Sequence, residues 1–115
     1  MVNISISPSF VLPAGIPATA FTLQLGGGYA PAVDIVKTGD PLQHASAWTS
    51  NLKVGETLTF DNEIFEGLVK NDFSSFLAGA FIPRVIYYVS RGILVVTQDG
   101  GSALTAKQIL NYTAP

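Results

Sequence analysis

Apolar and polar residues alternate from the first positions of the chain. Val2, Ile4 and Ile6 interleave with Asn3, Ser5 and Ser7, a period of two that predicts a short strand ended by Pro8. Pro8, Pro13 and Pro17 then predict a stiff, extended connector. Such a segment is unsuited to the middle of a sheet, because proline has no N–H to give to a neighbouring strand. Residues 1–17 therefore read as an N-terminal arm, and residues 18–115 as one β-rich domain. Two readings of the arm stay open. It is an edge strand tied to its own domain, or it adds its strand to a neighbouring copy with Val2, Ile4, Ile6, Phe10 and Val11 as contact residues.

Ala18–Leu25 reads as a strand with Thr19, Phe21, Leu23 and Leu25 on one face, followed by a loop at Gly26-Gly27-Gly28. Val33–Lys37 is a further strand, closed by the turn Thr38-Gly39-Asp40-Pro41. Val54-Gly55-Glu56 turns into a strand at Thr57–Phe60, with Leu58 and Phe60 inward. From Asp61 to Ala80 the pattern changes. Phe65, Val69, Phe73, Phe76/Leu77 and Ala80 recur at the helical spacing. Asp61 or Asn62 is the expected N-cap, with Glu63 and Glu66 near the positive end of the helix. Asn71-Asp72 divides the stretch in two, Asp72 capping the second helix and Gly79 stopping it.

Val85–Val89 and Ile93–Thr97 flank Ser90-Arg91-Gly92, which predicts a β-hairpin over Arg84–Gln98. Its apolar residues occupy both faces, so a second layer or a neighbour must cover it. Asp99-Gly100-Gly101-Ser102 is a turn, and Thr105–Asn111 a short helix capped by Thr105. With 28 β-branched residues among frequent Gly and Pro, the predicted fold class is mainly β, a sandwich or barrel-like form with one or two short α-helices. An α+β arrangement is the alternative.

Composition sharpens this picture at one point. Asp, Glu, Lys and Arg make up 12% of the 115 residues, about half the usual ~25%. Size scaling gives a folded surface of roughly 6,000 Å², too much for so few charges to cover. The 27 Ser, Thr, Asn and Gln residues supply part of the remainder. The mean hydropathy of +0.39 leaves room for an apolar contact patch buried by a partner. Net charge is −2, and Lys37, Lys53, Lys70, Arg84, Arg91 and Lys107 are scattered, which argues against nucleic acid. No apolar run reaches the ~20 residues of a membrane span. The absence of cysteine removes disulfides and thiolate chemistry and favours a reducing compartment. The first residues carry no Lys or Arg and read as no signal peptide.

The candidate chemistry is sparse. His44 is the sole histidine, and no serine stands in a G-x-S-x-G context, so no nucleophile–base relay is expected. Asp34, Asp40 and His44 match no metal-ligand spacing. Glu63 and Glu66 are better explained by the helix N-terminus than as an acid–base pair. Gly26-Gly27-Gly28-Tyr29 lacks the rest of a dinucleotide or phosphate-loop motif. No catalytic residue, cofactor or metal is expected. Tyr29, Trp48, Tyr87, Tyr88 and Tyr112 combine an apolar body with a polar atom, the residue type favoured at half-buried interfaces. The same types would build a carbohydrate or host-surface platform.

The run Gly55-Glu56-Thr57-Leu58-Thr59-Phe60, the pair Asp72-Phe73 and the run Gly92-Ile93-Leu94-Val95-Val96-Thr97-Gln98 join the proline-punctuated arm, low charge and lack of cysteine. Together they resemble small bacteriophage virion proteins, in the style of capsid decoration (cement) proteins and small tail or head–tail components. The resemblance implies a non-enzymatic structural subunit that partners copies of itself and a larger shell or tail protein. Its expected location is the virion, assembled in the host cytoplasm.

Overall fold

Val2–Ile6, proline-flanked and first in the chain, forms the middle strand of a sheet in the computed structural model. The structure describes residues 1–12, 14–15, 17, 22–23, 29–30, 52–72 and 76–115. In chain order the elements are β1 (Val2–Ile6), β2 (Thr22–Leu23), β3 (Tyr29–Ala30), β4 (Leu52–Lys53), β5 (Thr57–Phe60), α1 (Asn62–Val69), α2 (Phe76–Ser90), β6 (Leu94–Gln98) and α3 (Ala106–Leu110). The main antiparallel sheet runs β5-β1-β6, and a second small sheet runs β3-β2-β4.

The edge-strand reading of the arm is thereby corrected: β1 pairs on both sides. Val2 stands opposite Phe60 and Gln98, and Ile4 opposite Leu58 and Val96. Both neighbours come from the second half of the chain. The prolines are compatible with this position because Pro8 lies beyond the last paired residue, in the turn Ser7–Phe10. There the Phe10 amide donates to the Ser7 carbonyl at 3.1 Å.

The mainly-β expectation is also corrected, to the α+β alternative: helices lie on one face of a three-stranded sheet. The largest difference is at Arg84–Ser90, where the predicted first arm of a hairpin is the second half of α2. Val85, Ile86 and Val89 favour strands intrinsically, but packing decides. Phe81, Ile82, Val85 and Tyr88 recur at helical spacing and are all buried, while Pro83, Tyr87 and Ser90 face outward. Gly79 does not stop the helix, which continues through it and through Pro83. A Cβ at Gly79 would stand 3.3 Å from the Asn71 Oδ1, a close approach between α2 and the end of α1.

Gly92 belongs to a helix end rather than to a hairpin turn. Its φ is +74°, its N–H donates to the Val89 carbonyl (3.0 Å), and the Ile93 N–H donates to the Tyr88 carbonyl (2.9 Å). That pair of bonds is the Schellman motif, with buried Tyr88 and Ile93 at the positions that make its apolar contact. Asn71 closes α1 in the same way at φ +56°, with bonds from Asn71 to Leu68 and from Asp72 to Gly67. The helix division at Asn71-Asp72 is therefore as expected. Asp72, the expected cap of the second helix, is followed by residues 73–75, which lie outside the described residues.

Other expectations hold. Thr57–Phe60 is a strand with Phe60 buried and Leu58 packed on the core. Asp61 is the α1 N-cap by position, though its side chain makes no capping bond. Thr105 and Gln108 form a full capping box on α3. At Gln98–Gly101 two successive positive φ angles, Asp99 and Gly100, make a tight turn closed by the Gly101 amide on the Gln98 carbonyl. The chain then returns along β6, Leu104 donating to the Val96 carbonyl at 2.8 Å.

The core lies between sheet and helices. Val2, Ile4, Phe60, Leu94 and Val96 meet Phe65 and Leu68 of α1, the buried stripe of α2, and Ile109 of α3. Phe60 meets Phe81 edge-on at 5.4 Å between ring centroids, and Phe65 meets Tyr112 edge-on at 5.0 Å. Each such side chain contributes about 1.5–3 kcal/mol by burial.

Two stability measurements check this account. Gly92→Ala must force an alanine into the left-handed region and is expected to lower unfolding free energy by about 1–2 kcal/mol in urea titration. A hairpin turn at the same place would instead leave the helical signal of residues 76–90 absent from amide chemical shifts. Ile4→Ala is expected to cost about 2–5 kcal/mol, the range for a buried large-to-small change, because Ile4 is 1% exposed.

Candidate interface surface

Among the described residues the structure separates the aromatic and aliphatic contact candidates instead of gathering them. Val2 and Ile4 are fully buried, and Tyr88 and Tyr112 nearly so, all within the chain's own core. In the single chain they therefore complete the core: period-two alternation places Val2 and Ile4 on the helix-covered face, and Tyr88 lies on the inner stripe of α2. Ile6 and Phe10 are half-buried against the same core. Val11 is exposed. Tyr29 sits in β3, opposite Leu23. Trp48 lies outside the described residues, as do Asp34, Asp40, His44, the glycine triplet and the strand expected at Val33–Lys37.

Tyr87 remains on the outside, 51% exposed on the last turns of α2. Arg91, one helical turn on, holds its guanidinium carbon 5.0 Å from the Tyr87 ring centroid, and Tyr88 meets the same ring edge-on at 5.3 Å. A cation over an exposed ring face contributes about 0.5–1 kcal/mol. It also fixes the orientation of both side chains.

A second surface escaped the sequence reading because it is polar. The residues of the main sheet that face away from the helices form two cross-strand rows, Thr59–Asn3–Thr97 and Thr57–Ser5–Val95. None is charged. The Thr59 hydroxyl donates to the Asn3 side-chain oxygen at 2.9 Å, tying two strands together on this face. The signal was present as the polar half of each alternation, but only the register shows that the three strands share it.

At one end of the sheet a chain of hydrogen bonds links three elements. The Met1 amino group donates to the Asp99 carboxylate at 2.6 Å. The Gln98 amide nitrogen donates to Asp99 and to the Asn62 side-chain oxygen, and the Tyr112 hydroxyl donates to the Gln98 oxygen at 2.5 Å. The ammonium and the Gln98 donor hold the Asp99 carboxyl below the usual carboxylate range, while burial raises the Tyr112 phenol. Glu66 receives the Ala114 amide at 3.1 Å and the Lys70 ammonium at 3.2 Å, and these contacts lower its carboxyl likewise. Glu66 thus clamps the C-terminal segment, and Glu63 is exposed on the same helix. Among the described residues every buried side-chain polar atom has a partner, and no group of three or more His, Asp or Glu is placed to hold a metal ion. No described helix is long and apolar enough to cross a membrane.

Glu66 and Asp99 have folded-state values below their ordinary ones, so each stabilises the fold above the ordinary carboxylate range. Each loses that contribution as pH falls through its lowered folded value. Stability measured by urea titration is expected to decline on acidification below about pH 5. Glu66→Gln should make that decline shallower and leave the value near neutral pH less changed than does Glu66→Ala, since glutamine still accepts from the Ala114 amide. An unaltered acid slope in Glu66→Gln would remove Glu66 as the clamp.

Comparison with known proteins finds no family model, curated protein or solved structure that this chain matches.

Proposed function

We propose that the protein is a non-enzymatic structural subunit of a larger protein assembly. The observation that supports this best is the charge-free outer face of the main sheet, built from Asn3, Ser5, Thr57, Thr59, Val95 and Thr97. Interface centres are depleted of charge, because an ion withdrawn from water without an ideal partner costs several kcal/mol. Neutral hydroxyl and amide groups can be covered by a neighbour and re-form their hydrogen bonds there. Tyr87 with Arg91, a residue pair type enriched at interface hot spots, adds an exposed anchor on the helical side.

Within that class the reading is a bacteriophage virion component, a decoration or cement subunit that joins copies of itself and braces a shell, with a tail or head–tail component as the neighbouring possibility. The virion is its place of action. A carbohydrate platform is less favoured on the described side chains. Of the aromatics it would use, Tyr88 and Tyr112 are occupied in the core, and Tyr87 has Arg91 over its ring and Tyr88 at its edge.

Sedimentation velocity over a range of concentrations checks the assembly. The expected result is a species at a multiple of 12.1 kDa. Thr57→Lys together with Thr59→Lys puts two charges on the sheet face at exposed positions. This variant should weaken association at least tenfold, while unfolding stability falls by only about 0.5–1.5 kcal/mol with loss of the Thr59–Asn3 hydrogen bond. A monomer at every concentration would sink the proposal.

A further inference from the structure

We infer that the slot between β5 and β6 is a strand-accepting site, and that in the assembled state it takes Val2–Ile6 from a second copy. The inference rests on the assembly reading above and names the contact that would join the subunits.

The geometry of β1 carries it. β5 and β6 are not neighbours of each other; among the described strands each pairs with β1 in the main sheet, and β6 is met on its other side by the Thr97–Ala103 bridge. Without β1 the two strands would border an empty lane, floored by the core on which Val2 and Ile4 rest, both fully buried. The lane accepts a strand of defined chemistry: extended, apolar at alternate residues, and small or polar at the others. Val2-Asn3-Ile4-Ser5-Ile6 supplies this in an unbroken antiparallel register on both sides. A second copy's identical strand would satisfy the same pairing and burial. Exchange therefore alters the interactions of β1 very little.

The difference between the closed and exchanged forms falls on the segment that follows. Ser7 still donates to the Ile93 carbonyl at 2.7 Å, and the chain then reverses at Ser7-Pro8-Ser9-Phe10. Ser7 and Ser9 hydroxyls meet at 3.0 Å across this turn, and Pro8, Ser9 and Val11 are exposed. Pro8 has a φ near −65°, which suits both the second position of a turn and extended polyproline-type backbone. Serine before proline favours extended backbone as well. One exposed turn thus connects β1 to the rest of the chain, and its proline is compatible with either the bent or the straightened path.

A cysteine-free chain permits a direct test. Asn3 and Thr59 stand opposite each other on the outer face, as do Ser5 and Thr57. Opposed strand residues have Cα atoms roughly 4.5–5.5 Å apart, within disulfide reach. The double variants Asn3→Cys/Thr59→Cys and Ser5→Cys/Thr57→Cys would each be oxidised at a concentration where sedimentation gives an oligomer, then run on a denaturing, non-reducing gel. Exchange predicts covalent dimers or longer chains in most of the material, and monomers after reduction. An oligomer whose cystine is entirely within one chain would overturn the exchange and leave the assembly standing. A monomer at all concentrations, again with an intrachain cystine, would overturn both. Folded protein in which neither pair oxidises would also overturn the exchange, because it denies the register on which the lane is defined.

Discussion

The insertion of Val2–Ile6 between two strands from the far half of the chain is the constraint on which the rest of this fold depends. Val2 and Ile4 have no solvent exposure to speak of, and the strands on either side hydrogen-bond to β1 and are not neighbours of each other. The helices pack on one face of a sheet that exists as a sheet only when β1 is present. Such pairing joins residues roughly half the chain apart or more, so its closure entropy is met before the core gives anything back. Helices α1 and α2, formed from contiguous sequence and closed by their own caps, need no such long-range contact to begin forming.

Four left-handed or near-left-handed positions then direct the chain around that strand. Asn71 ends α1, Gly92 ends α2, and Asp99 with Gly100 turns β6 back on itself. In each case the reversal satisfies backbone groups that would otherwise be left without partners: the last carbonyls of a helix at Asn71 and Gly92, the end of a strand at Gln98. This is why Gly92 misleads when read without coordinates. Glycine at positive φ serves a two-strand turn and a helix terminus equally well. The residues before it, Val85-Ile86-Tyr87-Tyr88-Val89, have the intrinsic preferences of a strand. What makes them helical is that Phe81, Ile82, Val85 and Tyr88 recur at helical spacing within α2, and the core takes that stripe.

The legible part of the sequence was local. The alternation at Val2–Ile6, the strand Thr57–Phe60, the helix after Asp61, the break at Asn71 and the Thr105 cap each depend on a few adjacent residues, and each is found in the structure. Partners were not legible. Proline after Ile6 suggests an edge, whereas Pro8 stands two residues past the last paired residue and leaves the middle position open to β1. Contact residues were sought among aromatic and aliphatic side chains, and Val2, Ile4, Tyr88 and Tyr112 proved to be the core itself. Asn3, Ser5, Thr57, Thr59 and Thr97 carry no individual signal. They become a surface only through the register of three strands that lie far apart in sequence.

Low charge takes on a definite meaning once these placements are known. Apart from Val95, the apolar residues of β1, β5 and β6 are turned inward, so the sparse charge is not matched by a large apolar sheet face. Beside Val95, the outward residues of the same strands are hydroxyls and an amide, groups that hydrogen-bond to water or to protein at similar free energy. Such a face tolerates exposure while a subunit is free and coverage once it is bound, with no ion to strip of its water in between. The strand that carries the centre of this face is also the strand whose inward residues complete the core. Any rearrangement that moves β1 between copies therefore moves both surfaces together, linking the integrity of the fold to the contact between subunits.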